Sequence, residues 1–230
     1  MRLAFSAADV AETPSCICFP PVPEGSSAET LQSHEAPAFI AESELLSRAY
    51  QLAAEAHAGQ RRRDDGSPFI SHPVAVARVL NNAGADEHVV AAGLLHDVVE
   101  DTDVGSHQVA ERFGQRVAVL VGALSEDKGL EDYEERKRAH RDQVEAAGPE
   151  AVALYIADKL SNLRDMRGIY ALEGEAIATR FKAPIDVRVA LWRGDLEMAS
   201  RTAPGVPHLS DFRSELDAFD GERARRAELG

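Results

Sequence analysis

The residues best suited to chemistry lie between positions 94 and 102, where polar side chains interrupt an apolar run. His96 and Asp97 offer a nitrogen and an oxygen ligand side by side, a pair that suits Mn, Fe or Zn. If the segment is helical, Glu100 and Asp101 each lie one turn beyond this pair, on the same surface. These later acids could orient or deprotonate a water molecule at a metal. Four ionisable groups in an apolar run favour a metal centre over a polar helix end.

Further metal ligands must come from distant segments, and two residues are suitable. His72 stands at the start of a predicted helix, and Asp158 interrupts an apolar helical stretch. Taken alone, each has a plain structural explanation: a hydrogen bond at the helix start for His72, and an ion pair for Asp158. Together with His96 and Asp97 they supply two imidazoles and two carboxylates, with positions left open for water and a phosphate oxygen. Asn162, four residues after Asp158, lies on the same helix face.

Three consecutive arginines at positions 61–63 precede His72 in an otherwise acidic chain. Guanidinium groups bind phosphates through two hydrogen bonds and stack on planar bases. An isolated run of this kind is usually a solvated loop, here balanced by Asp64 and Asp65. Beside a metal centre, the same arginines indicate a pocket for a phosphate ester.

Helices must position these residues, because apolar residues recur at helical spacing and no alternating strand pattern is present. We therefore predict an all-α fold. Ser71 is predicted to cap the helix that holds His72, and Asp86 to cap a single helix over 87–101. A Gly-Pro pair at 148–149 marks a helix end and the next helix start. The remaining predicted helices cover about 42–58, 106–113, 115–124, 130–146, 150–167, a segment that includes 187–198, and 209–230.

The bulk composition limits the class of protein. The chain has 230 residues, a hydrophobic content of 44%, a charged content of 28% and a net charge of −14, which are values of a globular protein. The negative charge argues against a general binder of nucleic acid or anionic membranes. No apolar run is long enough to span a membrane, and no secretory leader is recognisable. With only Cys16 and Cys18, we expect no disulfide framework and a cytoplasmic location.

Three segments, 60–73, 96–102 and 157–164, occur in an order and at a spacing that carry a family resemblance. From about residue 42 to 170 the chain resembles the HD-domain hydrolases of the RelA/SpoT family, and most of all its small alarmone hydrolases. Those enzymes degrade ppGpp and pppGpp to GDP and GTP, releasing pyrophosphate from the 3′ position with a bound Mn²⁺. The resemblance therefore implies an HD-domain-like helical bundle, a metal-dependent 3′-pyrophosphohydrolase and a Mn²⁺ cofactor.

Carried over position by position, the resemblance also implies a role for each candidate residue. Four residues would ligate the metal: His72, His96, Asp97 and Asp158. Glu100 and Asp101 correspond to the acidic pair that activates the water. Arg62 would stack on or near the guanine, Arg63 would meet phosphate, and Asn162 would contact the nucleotide.

The chain departs from the family pattern at three positions. Arg63 stands where Lys is frequent, Phe69 where Tyr is usual, and Ser161 where a larger or acidic residue is common. Arginine keeps the charge of lysine but changes the geometry of the donors, and phenylalanine loses a hydroxyl contact. These departures concern affinity and substrate choice more than the chemistry.

Two alternative functions stay open at this point. The same metal chemistry could act on another nucleotide with a 2′ or 3′ phosphate, such as NADPH, because both would present a ribose phosphate to one centre. The chain could also be a hydrolase-like antitoxin or binding module that acts through a partner. The complete set of ligands and acids argues against an inactive relic. Asp97→Ala would abolish an enzymatic function and leave a scaffolding function intact.

The chain divides into three predicted regions. These are a disordered or loosely packed tract over 1–40, an HD-type hydrolase domain over 41–200, and a C-terminal helical extension over 201–230. The charged run 131–138 is expected to be a solvated helix face, with the alternative that some of its basic residues reach an anionic substrate. Four histidines outside the site are also expected to be solvated: His88, His107, His140 and His208. The expected partner is a small guanosine nucleotide, and neither nucleic acid nor a membrane.

Overall fold

The computed structural model describes residues 36–63, 65–181 and 183–229, and the chain from Ala36 onwards forms one compact unit. Residues 1–35, which hold most of the predicted N-terminal tract together with Cys16 and Cys18, lie outside the described residues. The regular elements of the described chain are α1 (Ala38–Ala41), α2 (Glu44–Ala56), α3 (Ser71–Asn82), α4 (Glu87–Leu95), α5 (Val98–Asp101), α6 (Ser106–Phe113), α7 (Gln115–Leu124), α8 (Tyr133–Ala147), α9 (Pro149–Glu173), a 3₁₀ helix (Gly174–Arg180), α10 (Ile185–Thr202) and α11 (Leu209–Leu229).

The prediction of an all-α fold is confirmed. Within the described residues, extended pairing is limited to a single bridge between Arg61 and Pro68 in the loop before α3. No helix of that part of the chain combines the length and apolarity that a membrane crossing requires.

Helix α4 lies at the centre of the bundle, in contact with α2, α3, α7 and α9. Residues 89–95 are buried on every side of α4, the pattern of a helix surrounded by other elements. A side chain at Gly93 would place its Cβ 2.7 Å from Leu80 Cδ1 of α3. This glycine therefore lets α3 and α4 approach closely, which matters because the two helices carry His72 and His96.

The predicted cap at Asp86 is confirmed, because its carboxylate accepts the His88 backbone N–H at 2.9 Å. The predicted cap at Ser71 is wrong: Ile70 holds the cap position without a side-chain cap bond, and Ser71 is the first helical residue. The N–H groups of Ser71 and His72 already donate to the carbonyls of Pro68 and Phe69, at 3.0 Å each. A turn that precedes α3 thus satisfies donors that a cap would otherwise serve.

The predicted single helix over 87–101 is also wrong, because α4 ends at Leu95 and α5 begins at Val98. Asp97 takes backbone angles of φ −92° and ψ −8°, outside the helical minimum. The Gly93 carbonyl, which a continuous helix would pair with the Asp97 N–H, lies 2.9 Å from His96 Nδ1. The break places His96 and Asp97 at a bend in the chain and not on a regular helix face.

The C-terminal part of the chain packs against the end of the central bundle. Helix α9 begins at the predicted Gly148–Pro149 junction, where Gly148 has φ +97°, and it continues six residues past the predicted end at 167. Helix α11 lies on α9 and α10 and buries Phe212, Leu216 and Phe219 completely. The division of the chain into a hydrolase domain over 41–200 and an extension over 201–230 stays a prediction.

Two histidines expected to be solvated are buried, so that expectation is wrong for His140 and His208. The His140 ring packs edge-on against Tyr155 at 5.1 Å between centroids, and His208 Nε2 lies 2.8 Å from the Ala153 carbonyl oxygen. Both contacts join residues of different segments of the chain, and the spacing of apolar residues within one helix cannot predict such contacts. His107 is exposed, as expected.

Candidate metal centre and cleft

The four predicted metal ligands converge from three places in the fold: the start of α3, the bend between α4 and α5, and the middle of α9. His72 Nε2 lies 3.1 Å from Asp158 Oδ1 and 3.8 Å from Asp97 Oδ2. His96 Nε2 lies 3.1 Å from Asp97 Oδ2 and 3.8 Å from Asp158 Oδ1. Ligand atoms of His72, His96 and Asp158 all lie within 4.8 Å of one another. We call these four residues the HD cluster.

The donor set and its surroundings fit a divalent cation. His96 Nδ1 lies 2.9 Å from the Gly93 carbonyl oxygen, which assigns the proton to Nδ1 and turns the lone pair of Nε2 toward the cluster. That Nε2 atom is buried and finds no hydrogen-bond partner among the described residues. On the other ligand, His72 Nδ1 lies 3.4 Å from Ser161 Oγ. Two imidazole nitrogens and two carboxylate oxygens suit a borderline metal ion.

The electrostatic environment of the cluster also favours positive charge. Burial lowers the pKa of His96, but the carboxylates of Asp97 and Asp158 outweigh burial and raise that pKa to about 9. Burial raises the pKa of Asp158, yet Lys159 and His72 hold it well below its usual range. The carboxylates therefore stay ionised, and the field that attracts a proton to His96 would attract a metal cation in the same way.

Two neighbouring side chains orient the Asp158 carboxylate. Asn162 Nδ2 donates to Oδ1 at 2.6 Å, and Lys159 Nζ donates to Oδ2 at 2.8 Å. Asn162 lies on the same face of α9 as Asp158, as its spacing predicted, and it also lines the cleft above the cluster. The amide therefore touches the ligand set while it faces the space where a substrate would lie.

The predicted acidic pair lies on α5, in two different environments. The Glu100 side chain is 20% exposed, and one of its oxygens accepts the backbone N–H of Glu126 at 3.2 Å. Burial raises the pKa of Glu100, and the nearby carboxylates of Glu126, Asp101 and Asp97 add to the rise. The Asp101 side chain is 43% exposed and forms an ion pair with Lys128 at 3.2 Å. Glu100 is thus a largely buried acid whose raised pKa suits it to accept a proton.

A cleft of about 930 Å³ opens above the HD cluster. The arginine loop forms one wall, where Arg62 forms an ion pair with Asp165 of α9 at 2.9 Å and is only 10% exposed. Arg63 is exposed and borders the same cleft. Phe69 stacks on the buried ring of His57, with 4.4 Å between centroids. Further cationic residues border the same cleft: Lys128, Arg136, Lys137, Arg180 and Arg188.

The prediction of a solvated helix face over 131–138 is wrong for Arg136 and Lys137, which border the cleft. Their side chains are only 18% and 24% exposed, and both form ion pairs with Glu126. Burial raises the pKa of Glu126, but the contact with His140 at 3.4 Å and the charge and hydrogen bond of Lys137 overcome this and lower it strongly. The available signal was helical spacing, since residues 136, 137 and 140 share a face of α8 with the apolar Val144.

Comparison with known proteins gives consistent results. Residues 49–182 match the family model described as HD domain. Over 128 residues the chain is 44% identical to human guanosine-3′,5′-bis(diphosphate) 3′-pyrophosphohydrolase MESH1, which covers 54% of this chain and 71% of that protein. A Synechocystis protein described as "Probable guanosine-3′,5′-bis(diphosphate) 3′-pyrophosphohydrolase" is 36% identical over 162 residues, 67% of this chain and 21% of that longer protein. The chain thus spans about a fifth of the latter.

A solved structure of a metazoan ortholog of SpoT, described as hydrolysing ppGpp, superposes with a TM-score of 0.61 at 30% identity. The match covers 79% of this chain and 96% of that one.

A helical bundle with a buried His, His-Asp and Asp cluster is the arrangement of HD-domain proteins. The chain belongs to the HD-domain family and, within it, to the small alarmone hydrolases of the RelA/SpoT type. The family resemblance carried by the three sequence segments is confirmed.

Proposed function

We propose that this protein is a metal-dependent phosphohydrolase that converts ppGpp and pppGpp to GDP and GTP, releasing pyrophosphate from the 3′ position. The observation that carries the proposal is the HD cluster at the floor of a cleft with cationic walls. The volume of the cleft is within the range of small-molecule sites. Relatives with this activity in their names match the chain over the segment that contains the cluster.

The metal would be held by His72, His96, Asp97 and Asp158, and we propose Mn²⁺ as the resident ion. When bound, a divalent cation lowers the pKa of water and polarises a phosphoryl oxygen. Neutral imidazole nitrogens with carboxylate oxygens are a mixed donor set that Mn²⁺ accepts, and the set contains no thiolate that would favour Zn²⁺.

The proposed reaction is a direct displacement at phosphorus by water. The new P–O bond forms to the water oxygen while the bond between the phosphorus and the ribose 3′ oxygen breaks. Glu100 accepts the proton of the attacking water, because it is the more buried of the two acids and burial raises its pKa. The 3′ oxygen leaves as a hydroxyl with the proton that Glu100 accepted, returned directly or through solvent, which regenerates the carboxylate. The attacked phosphorus leaves in pyrophosphate with the water oxygen bound to it. No covalent enzyme intermediate is required.

The walls of the cleft would hold the rest of the nucleotide. Asp165 holds Arg62 in place through an ion pair, which presents a planar cation on which a guanine can stack. Arg63, exposed on the same loop, is placed to meet a phosphate, and Asn162 to contact the nucleotide above Asp158. The net charge of −14 supports action on a free nucleotide, and not on nucleic acid or membranes.

The test is product analysis of purified protein with ppGpp, with and without added Mn²⁺. We expect GDP and pyrophosphate, formed only with metal, and loss of both products in Asp97→Ala. Asp103→Ala is the matched control, because Asp103 is an exposed acid on the same segment outside the cluster. Phosphate release from NADPH without any turnover of ppGpp would overturn the proposed substrate. Metal binding without turnover of either nucleotide would favour a binding module.

A further inference from the structure

Lys159 lies beside the HD cluster at the border of the same cleft, with 9% of its surface exposed. Its ammonium donates to Asp158 Oδ2 at 2.8 Å, whereas the other oxygen, Oδ1, faces His72 Nε2 at 3.1 Å. One oxygen of the ligand carboxylate is therefore engaged by a cation, and the other remains on the cluster side. This contact favours metal binding through a single oxygen of Asp158, and it leaves more of the coordination sphere to water and substrate.

A buried network holds this lysine in place. The Lys159 ammonium lies 4.3 Å from the centroid of the Tyr155 ring, a cation–π contact. The Tyr155 hydroxyl donates to Asp195 Oδ1 of α10 at 3.2 Å, and Arg141 of α8 donates to the same oxygen at 2.7 Å. Three helices thus fix the lysine, and the ordering of its long side chain occurs before any metal or substrate binds.

The charge of Lys159 changes the net charge of the site when a divalent cation is bound. Two neutral imidazoles and two carboxylates together cancel the two positive charges of a divalent cation. The lysine adds one positive charge in direct contact with the ligand set, so that the four ligands, the cation and the lysine together have an excess of one positive charge over the ligands and the cation alone. A metal centre with that excess attracts an anionic phosphate more strongly than a neutral one.

We propose that Lys159 is a positioning residue that weakens metal binding slightly while it strengthens phosphate binding at the loaded centre. The inference rests on the proposed metal site but not on ppGpp as the substrate. Without the lysine, no neighbouring ammonium repels Mn²⁺ at the carboxylates, so the metal binds more tightly. The metal-bound centre then carries less positive charge and attracts an anion less strongly. The two affinities should therefore change in opposite directions.

The experiment uses calorimetry to measure Mn²⁺ binding to metal-free protein, and inorganic phosphate binding to the Mn²⁺-loaded protein. The main variant is Lys159→Met, which keeps an unbranched stem over Tyr155. Lys159→Gln is the second variant, because it can still donate a hydrogen bond but carries no charge. Arg141→Met is the matched control: it removes one cation from the same network without contact to Asp158.

For Lys159→Met and Lys159→Gln we expect Mn²⁺ to bind more tightly than in the wild type, by up to about tenfold, and phosphate to bind about tenfold more weakly. Arg141→Met should not show this opposite pair of changes. If either lysine variant loses Mn²⁺ and phosphate affinity together, or keeps phosphate affinity, Lys159 has a purely structural role. If Lys159→Met does not fold, the result for Lys159→Gln decides. A wild type that binds no Mn²⁺ would overturn the proposed function itself.

Discussion

The close approach of α3 and α4 depends on the absence of a side chain at Gly93. In Gly93→Ala the new Cβ would lie 2.7 Å from Leu80 Cδ1 and 3.5 Å from the Ala77 Cα. Carbon atoms pack best at about 3.5–4.0 Å, so the leucine methyl would have to move by roughly 1 Å. Leu80 and Ala77 are both fully buried, and neither can move into solvent. The substitution therefore has to separate the helices or rearrange the core.

The size of this effect follows from two opposing contributions. Overpacking of a buried core costs about 1–3 kcal/mol. Alanine in place of glycine inside a helix recovers up to about 1 kcal/mol of helix propensity. We expect Gly93→Ala to lower the free energy of unfolding by about 1–2 kcal/mol, which corresponds to a fall in Tm of roughly 2–8 °C for a domain of this size.

Gly168→Ala is the matched control for this prediction. Gly168 also lies inside a helix, α9, but it is exposed, and a Cβ there would meet nothing within 4 Å. This variant should be more stable than the wild type by about 0.5–1 kcal/mol, because only the propensity contribution acts. Urea denaturation monitored by circular dichroism measures both variants.

The same substitution should also affect the metal centre. Helices α3 and α4 lead to His72 and His96, and the Gly93 carbonyl bonds to His96 Nδ1. A displacement of the two helices would weaken Mn²⁺ binding in Gly93→Ala but not in Gly168→Ala. If Gly93→Ala proves as stable as Gly168→Ala, with unchanged metal affinity, the argument from close helix packing is wrong.

The acidic pair on α5, the metal centre and the buried His208 each lead to a testable expectation. Glu100→Gln should lower kcat by about 10²–10⁴, whereas Asp101→Asn should have a smaller effect because Asp101 is more exposed and pairs with Lys128; equal losses in steady-state assays would argue against Glu100 as the base. Mn²⁺ at a concentration of 100 times its Kd should raise the free energy of unfolding by about 2.7 kcal/mol. The rise in Tm should be reversed by a chelator and should be absent in Asp97→Ala. A rise in that variant would show that the metal binds elsewhere. Burial lowers the pKa of His208, so the folded protein holds this histidine in its neutral form, and the free energy of unfolding should fall as the pH drops below about 6.5, the usual pKa of histidine in an unfolded chain. In His208→Gln the free energy of unfolding should fall less over the same pH range. An unchanged pH dependence in this variant would contradict the assignment to His208.

Local patterns in the sequence were sufficient to predict the helical class of the fold and the candidate ligands. Periodicity and caps depend on residues within about four positions of each other, which is why Asp86 and the Gly148–Pro149 junction could be located in advance. The types and order of His72, His96, Asp97 and Asp158 selected a ligand set whose atoms the structure brings together. Their roles as ligands, like those of the acids and arginines, stay predictions until metal binding and turnover are measured.

Contacts between polar groups on different helices depend on how the helices pack, and the sequence pattern did not predict them. The bend at His96 and Asp97 requires the Gly93 carbonyl to face the imidazole, and the burial of His140 and His208 requires α9 to pass beside them. The position of Lys159 between Asp158 and the Tyr155 ring depends on helices α8 and α10. Burial and ion pairing between distant segments arise from packing and desolvation, and a local sequence pattern reports neither.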